Sequence, residues 1–178
     1  MTTRPSDGSP KKGLELGSPM PPVPTNLMAG LIEALAADPY HGKADMPELA
    51  RSLQLEVDEL FPVAEMLQHL GFAEVHSGDI VLTAPGRIFA EHGTQERKMQ
   101  FAEHLLQSVP LAARIRQVLN ERPGHHAPRV RFEQELEDFL TDESAEETLD
   151  AVINWGRYAE IFSYNDQTEF FSLEDVEG

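Results

Sequence analysis

The residues of this chain that could do chemistry are histidines and carboxylates, and their spacing decides what that chemistry would be. Glu91-His92, Glu96, Glu103-His104 and His125-His126 are oxygen and imidazole donors of the kind a divalent metal takes. His92 and Glu96 stand at i and i+4, on one face of a helix, whereas His104 lies twelve residues on and His125 belongs to another element. The candidate metal set is therefore His92, Glu96, His104, His125 and His126, without an H-E-x-x-H motif to bind it together. Ordinary surface histidines are the simpler reading, and no cofactor is expected beyond a divalent metal at that set. Glu133, Glu135, Glu137, Asp138, Asp142 and Glu143 could supply an acid and base pair, but a solvated acidic face explains them better.

Other routes to catalysis are closed by absence. The chain has no cysteine, which removes thiolate metal sites and cysteine nucleophiles. No G-x-S-x-G elbow occurs, and Gly8-Ser9-Pro10-Lys11-Lys12-Gly13 lacks the spacing and the Ser or Thr of a phosphate loop. The expectation is a protein that is not an enzyme.

The elements that would position these residues can be read in order. Residues 1–25 are rich in Pro, Gly, Ser and Thr and read as a disordered leader. Leu27, Met28, Leu31, Ile32 and Leu35 predict a first helix ending before Asp38-Pro39, and Asp45 caps a short second one. A third runs from Val57 to Leu70 with Gly71 as its stop, and two short strands follow around the turn His76-Ser77-Gly78-Asp79. After a linker helix presenting Met99, Phe101, Ala102, Leu105, Leu106 and Val109, the order repeats. Leu111 to Glu121, Arg129 to Leu140 and a stretch ending near Trp155-Gly156 read as helices, and Tyr158 to Leu173 as a second hairpin.

The fold class expected is mainly α with short β-hairpins (α+β): tandem winged-helix-like units joined by a helical linker. The boundaries are 1–25 for the leader, 26–93 for the first unit, 94–109 for the linker helix and 110–178 for the second unit. Phe170 and Phe171 are adjacent, so one strand cannot bury both, and Phe170, Phe171, Trp155 and Tyr164 form the candidate protein-contact cluster.

Charge separates the possible partners. The formal net charge of −17 is uneven: residues 87–131 carry 8 basic and 4 acidic groups, while residues 132–178 carry 1 and 15. The helix from Val57 to Leu70 has Asp58, Glu59 and Glu65 and no Lys or Arg, and Ser144 to Trp155 has Glu146, Glu147 and Asp150 and none either. Both would meet phosphate with like charge, so nucleic acid is disfavoured. The longest apolar runs are far short of the ~20 residues of a membrane span, and no secretory signal is legible, so a cytoplasmic location without membrane insertion is expected.

Several strings occur together in a recognisable order: Gly71-Phe72-Ala73-Glu74, Gly78-Asp79-Ile80-Val81-Leu82-Thr83, Gln95-Glu96-Arg97-Lys98, Phe101-Ala102-Glu103, Glu121-Arg122-Pro123-Gly124 and Asn154-Trp155-Gly156-Arg157-Tyr158-Ala159-Glu160. With them, residues 26–174 resemble the AAA-associated C-terminal domain, which in its family commonly follows the ATPase module of nitrate-, sulfonate-, taurine- or bicarbonate-type ABC importers. The resemblance implies a regulatory or accessory domain with no catalytic residues to carry over, here without the phosphate loop or an LSGGQ-like signature of the ATPase itself. The leading expectation is a regulatory or adaptor protein partnered by an ABC transporter ATPase or other transporter component, using its two winged-helix-like units to dock on protein and to self-associate as a dimer. The competing expectation is a ligand- or metal-responsive winged-helix transcription regulator whose basic middle touches DNA.

Overall fold

A computed structural model describes residues 15–173. The first half builds α1 (Thr25–Ala36), β1 (Lys43–Asp45), α2 (Met46–Ser52), α3 (Val57–Leu70), β2 (Ala73–His76) and β3 (Asp79–Leu82). Two helices follow, α4 (Ala84–Glu91) and α5 (Thr94–Ser108). The second half then repeats the first as α6 (Pro110–Glu121), β4 (His126–Pro128), α7 (Arg129–Leu136), α8 (Asp142–Ala159), β5 (Ser163–Asn165) and β6 (Phe170–Ser172). Each half holds one antiparallel three-stranded sheet, ordered β1-β3-β2 and β4-β6-β5. The mainly helical chain with small antiparallel sheets is the α+β class read from the sequence.

Local chemistry sets the ends of the elements. Asp45 accepts a hydrogen bond from the Glu48 amide at the start of α2, and Thr141 accepts one from the Ser144 amide at the start of α8. Glu56 and Glu59 form a reciprocal capping box on α3, and Gly71, at φ 88°, closes that helix in the left-handed conformation glycine adopts without strain.

Four features depart from the expectations. The strands β1 and β4 were not legible, because each is three residues long with one buried residue, Ala44 or Ala127, and forms only by pairing with β3 or β6. Residues Arg129 to Leu140 were expected as one helix, but α7 ends at Leu136. Gly156 does not end α8; that helix runs to Ala159, and Glu160, at φ 62°, takes the left-handed cap. Gly156 lies inside the helix because a Cβ there would overlap the Phe162 ring packed on it.

The fourth departure concerns the leader. Residues 1–14 lie outside the described residues, but residues 15–24 are part of the fold. Met20 and Val23 are buried, the Met20 amide donates to Thr148 Oγ1 at 3.0 Å, and Trp155 Nε1 donates to the Val23 carbonyl at 2.7 Å. Composition missed this because two apolar side chains and two hydrogen bonds are enough to hold a Pro-rich segment when a prepared surface exists. The buried residues of both halves and of this segment form one contiguous core.

Candidate functional site

The outward surface divides into three faces, and the elements place each of them. On α3, Leu60, Val63, Ala64, Met66, Leu67 and Leu70 face the core. That leaves Val57 and Phe61, one turn apart, exposed beside Asp58, Glu59 and Glu65. The equivalent helix α8 buries Ala145, Leu149, Val152 and Trp155 and turns Glu143, Glu146, Glu147 and Asp150 outward.

The α8 face continues into a charged cleft with α7 and the β5–β6 hairpin. Arg129, only 9% exposed, donates from Nε to Glu133 at 2.7 Å and from Nη1 to Asp150 at 2.8 Å. Burial works against its charged form, but Glu133, Tyr164 and Asp150 outweigh it and raise its pKa above the ordinary arginine value. Arg157 donates to the Tyr164 carbonyl at 2.6 Å and to Asp166 at 3.1 Å, and lies over the Tyr164 ring. Both arginines of this cleft are thus held by carboxylates, and Glu146 and Glu169 add to its acidic lining.

The third face is a groove between α4 and α5. Thr83 accepts from the Gly86 amide and donates to the Gly71 carbonyl, which fixes α4 against the end of α3. Phe89 turns inward onto Phe72, while Ile88 on the other side is 48% exposed. On α5, Phe101 and Leu105 are buried and Met99 is 64% exposed. Pro85, Ile88 and Met99 line the groove together with His92, Glu96, Gln100, Glu103 and His104.

The groove accounts for part of the expected metal set. His92 Nδ1 donates to Gln100 Oε1 at 3.1 Å, and Gln100 Nε2 donates to the Pro85 carbonyl at 2.9 Å, so this imidazole ties α4 to α5. His104 donates to the Leu70 carbonyl at 2.6 Å and stacks on Phe72. His125 and His126 belong to the other half, where His125 donates to the Leu119 carbonyl and His126 meets the edge of Phe170. The five residues are not brought together, and among the described residues no three His, Cys, Asp or Glu side chains are placed to hold a metal ion.

The aromatic contact cluster also changes. Trp155 and Phe171 are fully buried, Phe171 packing against Phe132, Phe162 and Tyr164. Tyr164 is half-buried, and Phe170 alone of the four is exposed, as alternation on one strand requires. Met99, one of the apolar residues of the linker helix, is on the surface as well. It lies two residues before Phe101, about 200° around the helix from the buried stripe, a signal the periodicity already contained. Val57 and Phe61 were likewise legible as apolar residues off the buried face of α3.

Electrostatics elsewhere is structural. Arg114 pairs with Glu135, whose hydrogen bond raises the arginine pKa, and Arg131 lies 3.8 Å from the same carboxylate. Lys98 holds Glu160 below the usual carboxylate range.

The model of the C-terminal AAA-associated domain matches residues 47–165, from α2 to the end of β5. The chain belongs to that family. No curated protein and no solved structure matches it. The AAA-associated domain assignment supports an accessory role beside an ABC-transporter ATPase. The matched span includes α3, the α4–α5 groove and α8, while Asp166 and Glu169 of the charged cleft lie just beyond it. No helix among its described residues is long and apolar enough to cross a membrane.

Proposed function

We propose that this AAA-associated domain is a non-enzymatic regulatory or adaptor module of an anion-importing ABC transporter, working in the cytoplasm by contact with the transporter ATPase and by self-association. We read each helix-strand-helix-helix-hairpin half as a winged-helix-like unit turned from nucleic acid to protein. The observation that carries the reading is the content of the exposed faces. Val57 and Phe61 on α3, and Ile88 and Met99 at the groove, are large apolar side chains left in water on a chain of strongly acidic surface. Apolar side chains ringed by charge are the composition of a protein interface, while the carboxylates steer a partner of opposite sign and repel phosphate.

The test is capture of the tagged chain after cross-linking in the native cell, with mass measurement of the purified protein by analytical ultracentrifugation. Recovery of a transporter ATPase that is lost in an Ile88→Glu, Met99→Glu double variant is the expected result. A strictly monomeric mass with no transporter component recovered would overturn it. So would binding of a promoter fragment that survives competitor DNA, the outcome required by a metal- or ligand-responsive transcription regulator.

A further inference from the structure

The pocket between α6, the end of α8 and β5 adjoins the charged cleft, with which it shares Arg157 and Tyr164. It is lined by Arg116, Asn120, His125, Arg157, Glu160, Ile161, Phe162, Ser163, Tyr164 and Leu173, around a volume of about 760 Å³. Two of its charges are already answered: Arg157 by Asp166 and Glu160 by Lys98. Arg116 is different. In a chain with 31 acidic residues, its guanidinium pairs with no carboxylate among the described residues. Among the described residues its one bond runs from Nη1 to the Ile161 carbonyl at 2.9 Å, and its Nε is buried without a partner there. A half-buried guanidinium left this way carries a desolvation cost that a bound anion relieves.

The neighbours add recognition. Asn120 stands one helical turn after Arg116 on α6, so its amide shares the pocket wall and has no protein partner among the described residues. His125, held by its bond to the Leu119 carbonyl, fixes the rim. Ile161, Phe162 and Leu173 supply an apolar floor next to these polar groups.

We infer that this pocket binds a small organic carboxylate, its charged end on Arg116 and Asn120 and its short apolar body on Ile161, Phe162 and Leu173. A planar guanidinium matches a carboxylate with two parallel hydrogen bonds, and the apolar floor favours an anion with a hydrocarbon part over a wholly polar one. The inference stands independently of the docking surfaces, since none of its residues lies on α3, α4 or α5.

The full chain is titrated with acetate, propionate and inorganic phosphate at constant ionic strength, followed by side-chain and backbone amide shifts in NMR spectra. Saturable shifts centred on Asn120 and Ile161, tighter for propionate than for acetate, are expected. Arg116→Gln should weaken binding at least about tenfold. Asn120→Ala should weaken it several-fold, and Arg122→Gln, on a neighbouring arginine outside the pocket, should leave it unchanged. If Arg116→Gln fails to fold, the Asn120 and Arg122 variants carry the same comparison. Shifts that rise linearly without saturation, phosphate binding as tight as propionate, or equal losses in the Arg116 and Arg122 variants would overturn the assignment.

Discussion

At the scale of single residues, the ionisable groups of this protein serve mainly to hold its elements together. Arg129 and Arg131 sit at the start of α7, where a helix dipole disfavours cations, and each reaches a carboxylate that offsets the cost. Tyr158 shows the reverse balance. Burial of its phenol beside Phe101 raises its pKa above the ordinary tyrosine value, with Arg97 and Lys98 opposing. Because the folded state holds this proton more tightly than the unfolded chain, its contribution to stability is complete below the unfolded pKa. That contribution is lost as pH rises through the unfolded and then the folded value. Urea denaturation across the alkaline range should therefore show stability falling more steeply in the wild type than in Tyr158→Phe. Parallel profiles would show that the phenol contributes nothing.

At the scale of elements, two helical glycines make opposite demands. Gly86, in the first turn of α4, lies so close to the Phe72 carbonyl that a Cβ would overlap it, and this approach seats α4 on the β2 end of α3. Gly30, inside α1, has open space where a Cβ would stand. Gly86→Ala should destabilise the protein by about 3 kcal/mol, since backbone must shift to accept it. Gly30→Ala should stabilise it by about 0.5–1 kcal/mol through helix propensity alone. Denaturant midpoints measured on both variants check the pair, and the same sign of change in both would contradict the packing described for α4.

At the scale of the whole molecule, the segment before α1 closes the second half of the fold although it precedes the first half in the chain. Met20 and Val23 cover α8, and the Val23 carbonyl takes the hydrogen bond of Trp155, the protein's one tryptophan. A chain beginning at Thr25 should lose about 2–4 kcal/mol, as the burial of two apolar side chains and two buried hydrogen bonds is given up against the entropy the freed segment regains. It should also show Trp155 fluorescence shifted to longer wavelength, as water reaches the indole. Unchanged emission and stability would mean that the segment is a passive covering.

The sequence by itself determined much of this protein, and always where the signal was local. Asp45 and Gly71 marked helix ends because capping is a contact between near neighbours in the chain. Val57 to Leu70 matched α3 at both ends because a continuous apolar stripe and the Gly71 stop agree. The ordered strings that resemble the C-terminal AAA-associated domain were legible too, and the family match over residues 47–165 contains them all, inside the 26–174 expected. Only the tertiary structure decided the rest. The strands β1 and β4 exist because β3 and β6 offer them partners, and residues 15–24 are ordered because Thr148 and Trp155 are there to receive them. The five candidate metal ligands fell into different halves, and Trp155 and Phe171 into the core, because convergence in space and depth of burial depend on contacts between residues far apart in the chain. The same long-range packing left Arg116 without a carboxylate partner among the described residues.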